Sequence, residues 1–156
     1  TTRMSSGMPD LTGLSTADTA TATNITLAAD TITVVDYTGA AACAAALPAA
    51  TAGTVVVYVQ AKDTTGGTAT LTFNAAGSDV WATGSVIESR ASNEVTFDTS
   101  AAGETKLTFT PANATTNLLT IGGQIAFICY ETGTWHIATS LARETTQVTG
   151  AFAFAA

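Results

Sequence analysis

Ionic side chains are scarce in this chain, and the scarcity is lopsided. Only five residues are basic (Arg3, Lys62, Arg90, Lys106 and Arg143) against twelve acidic ones, for a formal net charge of −7. Charged residues make up 11% of the chain, well under the roughly 25% usual in a globular domain. The cations are scattered along the sequence, whereas a phosphate backbone calls for a clustered positive footprint. Neither nucleic acid nor an anionic membrane surface is therefore expected as a partner. Histidine occurs once, at His136, and no Cys-x-x-Cys pair exists, so a zinc site lacks its ligands. An Asp-x-Asp-x-Asp loop for calcium is missing too. Gly66-Gly67 and Gly122-Gly123 stand outside any phosphate-binding fingerprint and read as turn glycines. No cofactor and no catalysis are expected.

Cysteine is also sparse. Cys43 and Cys129 are far apart in sequence; a bridge is left open, but free thiols buried as small hydrophobes are the preferred reading. No run approaches the roughly 20 apolar residues of a membrane helix. The opening TTRMSSGMPDLTG lacks the apolar stretch of a signal peptide. A chain starting Thr-Thr, as after loss of an initiator methionine, is expected either to be made in a cytoplasm or to have had a leader removed.

What fills the chain instead is threonine, 33 residues, and alanine, 31 of 156. With 46% hydrophobic residues this is not the composition of disorder, which combines high charge with low hydrophobicity. It describes a surface of neutral hydroxyls. Such a surface suits a protein with many neighbours, because few charges need desolvating at its contacts. The length fits one domain, large enough to hold its fold without a metal or disulfide staple.

From Asn24 onward the hydrophobic pattern has period two. NITLAADTITVVDY sets Ile25 with Leu27 and Ile32 with Val34, and TVVVYVQAK, TATLTFNAA, SVIES, NEVTFDT, TKLTFTP, QIAFICYE and TWHIATS follow. β-branched enrichment and Gly- or Asp-containing turns about every ten residues indicate strands. The expected fold is all-β, an antiparallel β-sandwich or barrel of jelly-roll type, with residues 24–156 as a single domain. Polar, low-complexity residues 1–23 read as an extended N-terminal arm, tied down by another subunit. The alanine run before Leu47-Pro48 has two readings. A helix there would be too short to hold on propensity alone, and Pro48 pushes Leu47 to extended geometry; residues 41–47 are read as a tightly packed strand. AALPAATAGTVVVYV, LTFNAAGSDVWATGSVI and LTFTPANATTNLLTIGGQI suggest a weak internal repeat of strand, small-residue loop and strand. The uncharged tail QVTGAFAFAA alternates Phe152 and Phe154, an edge that needs covering within the domain or by a neighbour.

Individual residues point to no reaction. His136 alternates with Trp135 on one strand, so their rings face opposite sides. Asp98 and Glu104 bracket a loop but lack the aromatic surroundings of a sugar cleft. Asn74 and Asp79 read as turn formers. Trp81 and Trp135 are either a sugar platform or, preferably, core and interface anchors.

The segment LPAATAGTVVVYVQAKDTTGGTATLTFNAAGSDVWATGSVIES, followed by TFDTSAAGETKLTFTPANATTNLL and a Trp-bearing hairpin, resembles small structural proteins of tailed bacteriophages, those of marine and cyanobacterial phages above all. The resemblance covers roughly 47–140 and rests on composition and loop pattern. It implies a decoration or cement protein on the virion capsid surface, made in the host bacterial cytoplasm. The major capsid protein and other copies of the chain, as a homotrimer, would be its partners. Assembly contacts are then expected from Arg3, Met4, Met8, Leu11 and Leu14 in the arm. Residues 141–156, through Phe152 and Phe154, would supply an inter-subunit strand, with Trp81 and Trp135 as surface aromatics. A receptor- or glycan-binding module and a fibre or tail subunit are the alternatives.

Overall fold

The computed structural model describes residues 4–5, 8–9, 15–19, 23–64, 67–90, 95–111, 121–143 and 152–156, with residues 4–5, 8–9, 15–19, 89–90, 95–97 and 139–143 described by their backbone alone. Strands, turns and bends make up these residues, with no helix among them. In chain order the strands are β1 (Met4–Ser5), β2 (Met8–Pro9), β3 (Ser15–Thr19), β4 (Asn24–Thr26) and β5 (Thr31–Val35). β6 (Cys43–Ala46), β7 (Val55–Gln60), β8 (Leu71–Asn74), β9 (Val80–Trp81) and β10 (Val86–Arg90) follow. The last five are β11 (Val95–Thr99), β12 (Lys106–Phe109), β13 (Gln124–Glu131), β14 (Thr134–Arg143) and β15 (Phe152–Ala155).

Two sheets face each other. The larger runs β11-β10-β14-β13-β7-β5-β3, with β9 also paired to β14; the smaller runs β15-β12-β8-β6-β4. The architecture is thus a β-sandwich, as the turn spacing implied, and not a closed barrel. Pairing departs from the expectation of antiparallel sheets. From β3 to β8 the chain alternates between the sheets, so β3, β5 and β7 are parallel neighbours in one and β4, β6 and β8 in the other. The Gly-bearing turns carry the chain across the sandwich instead of folding it back as a hairpin. Antiparallel order returns in the second half, where β7 meets β13, β13 meets β14, β8 meets β12 and β12 meets β15.

The alanine run resolves as β6, with Cys43 and Ala45 inside. Short side chains cost the strand little there, because its neighbours β4 and β8 bring Ile25 and Phe73 alongside. In the repeat, Leu71-Thr72-Phe73 and Leu107-Thr108-Phe109 lie side by side, Leu107 opposite Phe73 and Leu71 opposite Phe109. On the solvent side the Thr72 and Thr108 hydroxyls meet at 3.2 Å. All three repeat units begin in the smaller sheet and continue in the larger one. Between the sheets an aromatic chain fills the core: Tyr58–Phe73, Phe73–Phe127, Trp81–Phe127 and Trp81–Phe154 ring centroids are 5.1, 5.2, 5.5 and 5.8 Å apart.

Two elements differ from the terminal arms read from sequence. Residues 15–19 of the supposed arm form β3, laid in parallel register along β5 of the same chain, Thr16 beside Ile32 and Asp18 beside Val34. The tail forms β15 on β12, closing the smaller sheet.

Candidate contact surfaces and a buried polar cluster

Residues expected at the surface are largely inside. Trp81 is 1% exposed and Trp135 is wholly buried. They sit beside each other in the β9–β14 pairing, and both belong to the core between the sheets. This corrects their reading as surface aromatics: a GxW hairpin whose indoles turn inward buries far more apolar area than one that displays them. Phe152 and Phe154 are corrected in the same way. Both pack inward, Phe152 at 5.0 Å from Phe109 and Phe154 against Trp81. The free side of β15 is capped by Asp98, whose carboxylate accepts the Phe154 N–H at 2.8 Å. Arg3, Leu11 and Leu14 fall outside the described residues, and Met4 and Met8 are placed only as members of the β1–β2 hairpin.

The carboxylates weighed as reactive groups hold backbone instead. Glu104 accepts the Ala101 N–H at 2.6 Å, and Asp79 accepts the Ala50 N–H at 2.7 Å. Asp30 takes a left-handed conformation (φ 52°) and binds the head of β7 twice: its N–H donates to Val55 O at 2.7 Å, and its carboxylate accepts the Val55 N–H at 3.0 Å. Asp36 pairs with Lys62 at 2.5 Å on the surface, an exposed contact of small net worth. Among the described residues no three of His, Cys, Asp and Glu gather as metal ligands.

A polar cluster that the sequence did not advertise lies at the far end of β7. Gln60, 1% exposed, donates through Nε2 to Tyr37 O at 2.6 Å and also to Lys62 O, while its Oε1 accepts the Tyr58 hydroxyl. The Tyr37 hydroxyl donates to Ala69 O. Burial raises both phenols well above the usual tyrosine range and raises the Cys43 thiol beside them. Cys129 is also raised, first by burial and then by the nearby Asp79 and Glu131 carboxylates. Both cysteines are free and buried. Such groups stay protonated at neutral pH, so they pack and donate hydrogen bonds without acting as nucleophiles. Only an unbroken look at the strand-end pattern QAK, a polar residue closing an apolar run, could have flagged Gln60.

On the solvent side, Tyr130 is 56% exposed and meets the His136 ring edge-on at 5.1 Å. Ile121 and Val86 are exposed singly. The smaller sheet ends at β4, where the Ala44 N–H donates to Thr23 O and the Leu27 N–H to Ala46 O. The backbone groups of Asn24 and Thr26 therefore face away from β6, and both residues are exposed. A second buried apolar cluster lies on the outer side of the larger sheet, built by Val55, Val57, Ala126 and Ile128. Comparison with protein families, with curated proteins and with solved structures finds no match in any of the three.

Proposed function

We propose that this chain is a virion structural protein that decorates and cements the outer capsid of a tailed bacteriophage. It bridges neighbouring capsid subunits through broad neutral contacts and transforms nothing. The observation that carries the reading is the composition: 33 threonines and 31 alanines beside five cations. Folded as a sandwich filled by its own aromatics, such a chain offers partners threonine-bearing strands and an exposed strand edge at β4. The resemblance over 47–140 supports the same reading, since its LPAA–Gly–valine unit is the stretch that crosses from β6 to β7.

The folded tail changes how cementing would work. Phe152 and Phe154 are spent within the domain, so contact with the major capsid protein and with other copies falls to sheet faces and to the β4 edge. A homotrimer on threefold or quasi-threefold positions remains the proposed assembly. The test is electron microscopy of the particle that carries the chain, with copy number and symmetry as readout. Many copies following capsid symmetry are expected. A few copies confined to the tail or to fibre tips would replace cement with the fibre or receptor-binding alternative, and absence from purified particles would sink all three.

A further inference from the structure

The two ends of the sandwich are finished differently. At one end the sheets are tied to each other, because the Asp98 carboxylate of β11 accepts the Phe154 N–H of β15 at 2.8 Å. At the other end the outermost strands are β3 and β4, and β4 is open. The Ala44 N–H donates to Thr23 O and the Leu27 N–H to Ala46 O, both at 2.9 Å. Residues 23, 25 and 27 thus face β6, and the N–H and C=O groups of Asn24 and Thr26 turn outward, with no partner among the described residues. Both residues are exposed.

Sheets protect such an edge with a lysine, a proline, a bulge or a covering loop. β4 has none of these. Residues 23–29 read TNITLAA, without charge or proline, and the register with β6 runs without a shift. Shortness, three residues, limits the edge to a partner strand of matching length. Its own counterpart is such a strand. Asn24 and Thr26 flank Ile25 symmetrically, so a second β4 laid antiparallel about a twofold axis at Ile25 sets Asn24 opposite Thr26 of the second copy. In an antiparallel pair, opposed residues at alternate positions exchange both N–H···O=C bonds, and those positions are here the two that face out. Ile25, 5% exposed, then meets its counterpart and continues the inner apolar layer. Charge favours the same occupant. Two copies of a chain with net charge −7 repel each other in general, but along this edge no ionic groups are opposed. The nearest carboxylate in sequence, Asp30, is held by the Val55 N–H at 3.0 Å.

We infer that two copies of this chain join edge to edge through β4, Asn24–Thr26 running antiparallel to the same residues of the second copy, so that the two smaller sheets become one. A twofold contact of this kind adds to a threefold assembly by linking one trimer to the next. It does not depend on the capsid reading, and its failure would leave the symmetry seen on particles to be judged separately.

Sedimentation equilibrium of the full chain up to about 1 mM tests it. An even-numbered assembly is expected for the wild type. Asn24→Lys with Thr26→Lys sets like charges opposite each other and should halve the sedimenting mass, as should Asn24→Glu with Thr26→Glu; an equimolar mixture of the two variants should restore it. A wild type that stays monomeric or trimeric would overturn the contact, as would charged variants of undiminished mass or a mixture that fails to recover it. The near-ultraviolet dichroism of Trp81 and Trp135 reports whether each variant is folded. Should a charged pair lose that signal, Thr26→Pro, which removes only an outward N–H, replaces it with the same halving expected.

Discussion

Asp30, Asp79 and Glu104 show how this chain uses its few charges: each carboxylate is spent on a backbone N–H at a loop, where a charge-assisted hydrogen bond is worth more than a surface ion pair. Replacing Asp30 with Ala removes the acceptor of the Val55 N–H and leaves a β-carbon in a left-handed conformation. A loss of about 2–3 kcal/mol is expected by denaturant titration, and Asp30→Asn, which tolerates that conformation, should recover part of it. Gln60 has a larger role than its side chain suggests. Gln60→Leu leaves the Tyr58 hydroxyl and two carbonyl oxygens without their partner, and should destabilise by about 2–4 kcal/mol in the same assay. Trp81→Ala opens a cavity at the meeting of Phe127 and Phe154 and should cost about 3–5 kcal/mol. A thermal shift is the readout. Were Trp81 a display residue, its removal would leave the melting temperature nearly unchanged.

At the scale of elements, the sequence signals for strands were strong and the signals for their partners were not. Period-two alternation identified β5, β8, β12 and β14, and Pro48 with the missing polar face identified β6. Facing was harder to read. On β5 the pattern favours Ile32 and Val34 as the core pair, yet Thr31, Thr33 and Val35 are the buried side, 7, 2 and 0% exposed. A strand with apolar residues on both faces carries no facing signal of its own. Connectivity was hidden for a related reason: a short Gly turn looks alike whether it closes a hairpin or crosses to the other sheet. The tail belongs to this scale too. Truncation before Phe152 removes β15, exposes Leu107 and Phe109 on an open edge, and should lower the melting temperature by more than 10 °C, roughly what a loss of several kcal/mol implies for a domain of this size. An intact melting temperature with impaired assembly would return the tail to an inter-subunit role.

Among the described residues, the buried titratable groups with raised pKa values are acids that are neutral when protonated. Tyr37, Tyr58, Cys43 and Cys129 have their pKa values raised by burial. The folded state therefore keeps protons that the unfolded chain has already lost in alkaline solution. Their contribution is fully present below the unfolded values, about 8.5 for thiols and 10 for phenols, and declines as pH rises above them. A thermal melt should hold its midpoint from pH 6 to 8 and fall steadily above about pH 9. Thiol labelling at pH 8 should be negligible in the native protein and reach both cysteines after denaturation; fast native labelling of either would contradict their burial.

Composition and periodicity alone determined that the chain is all-β and sparsely charged, because charge content and side-chain alternation are local properties that any fold of this chain must respect. Tertiary structure decided which strands are neighbours, that Trp81, Trp135, Phe152 and Phe154 face inward, and that one sheet is apolar on both sides. Those outcomes depend on contacts between residues distant in the chain, where burial of the largest apolar area overrides what any single stretch prefers.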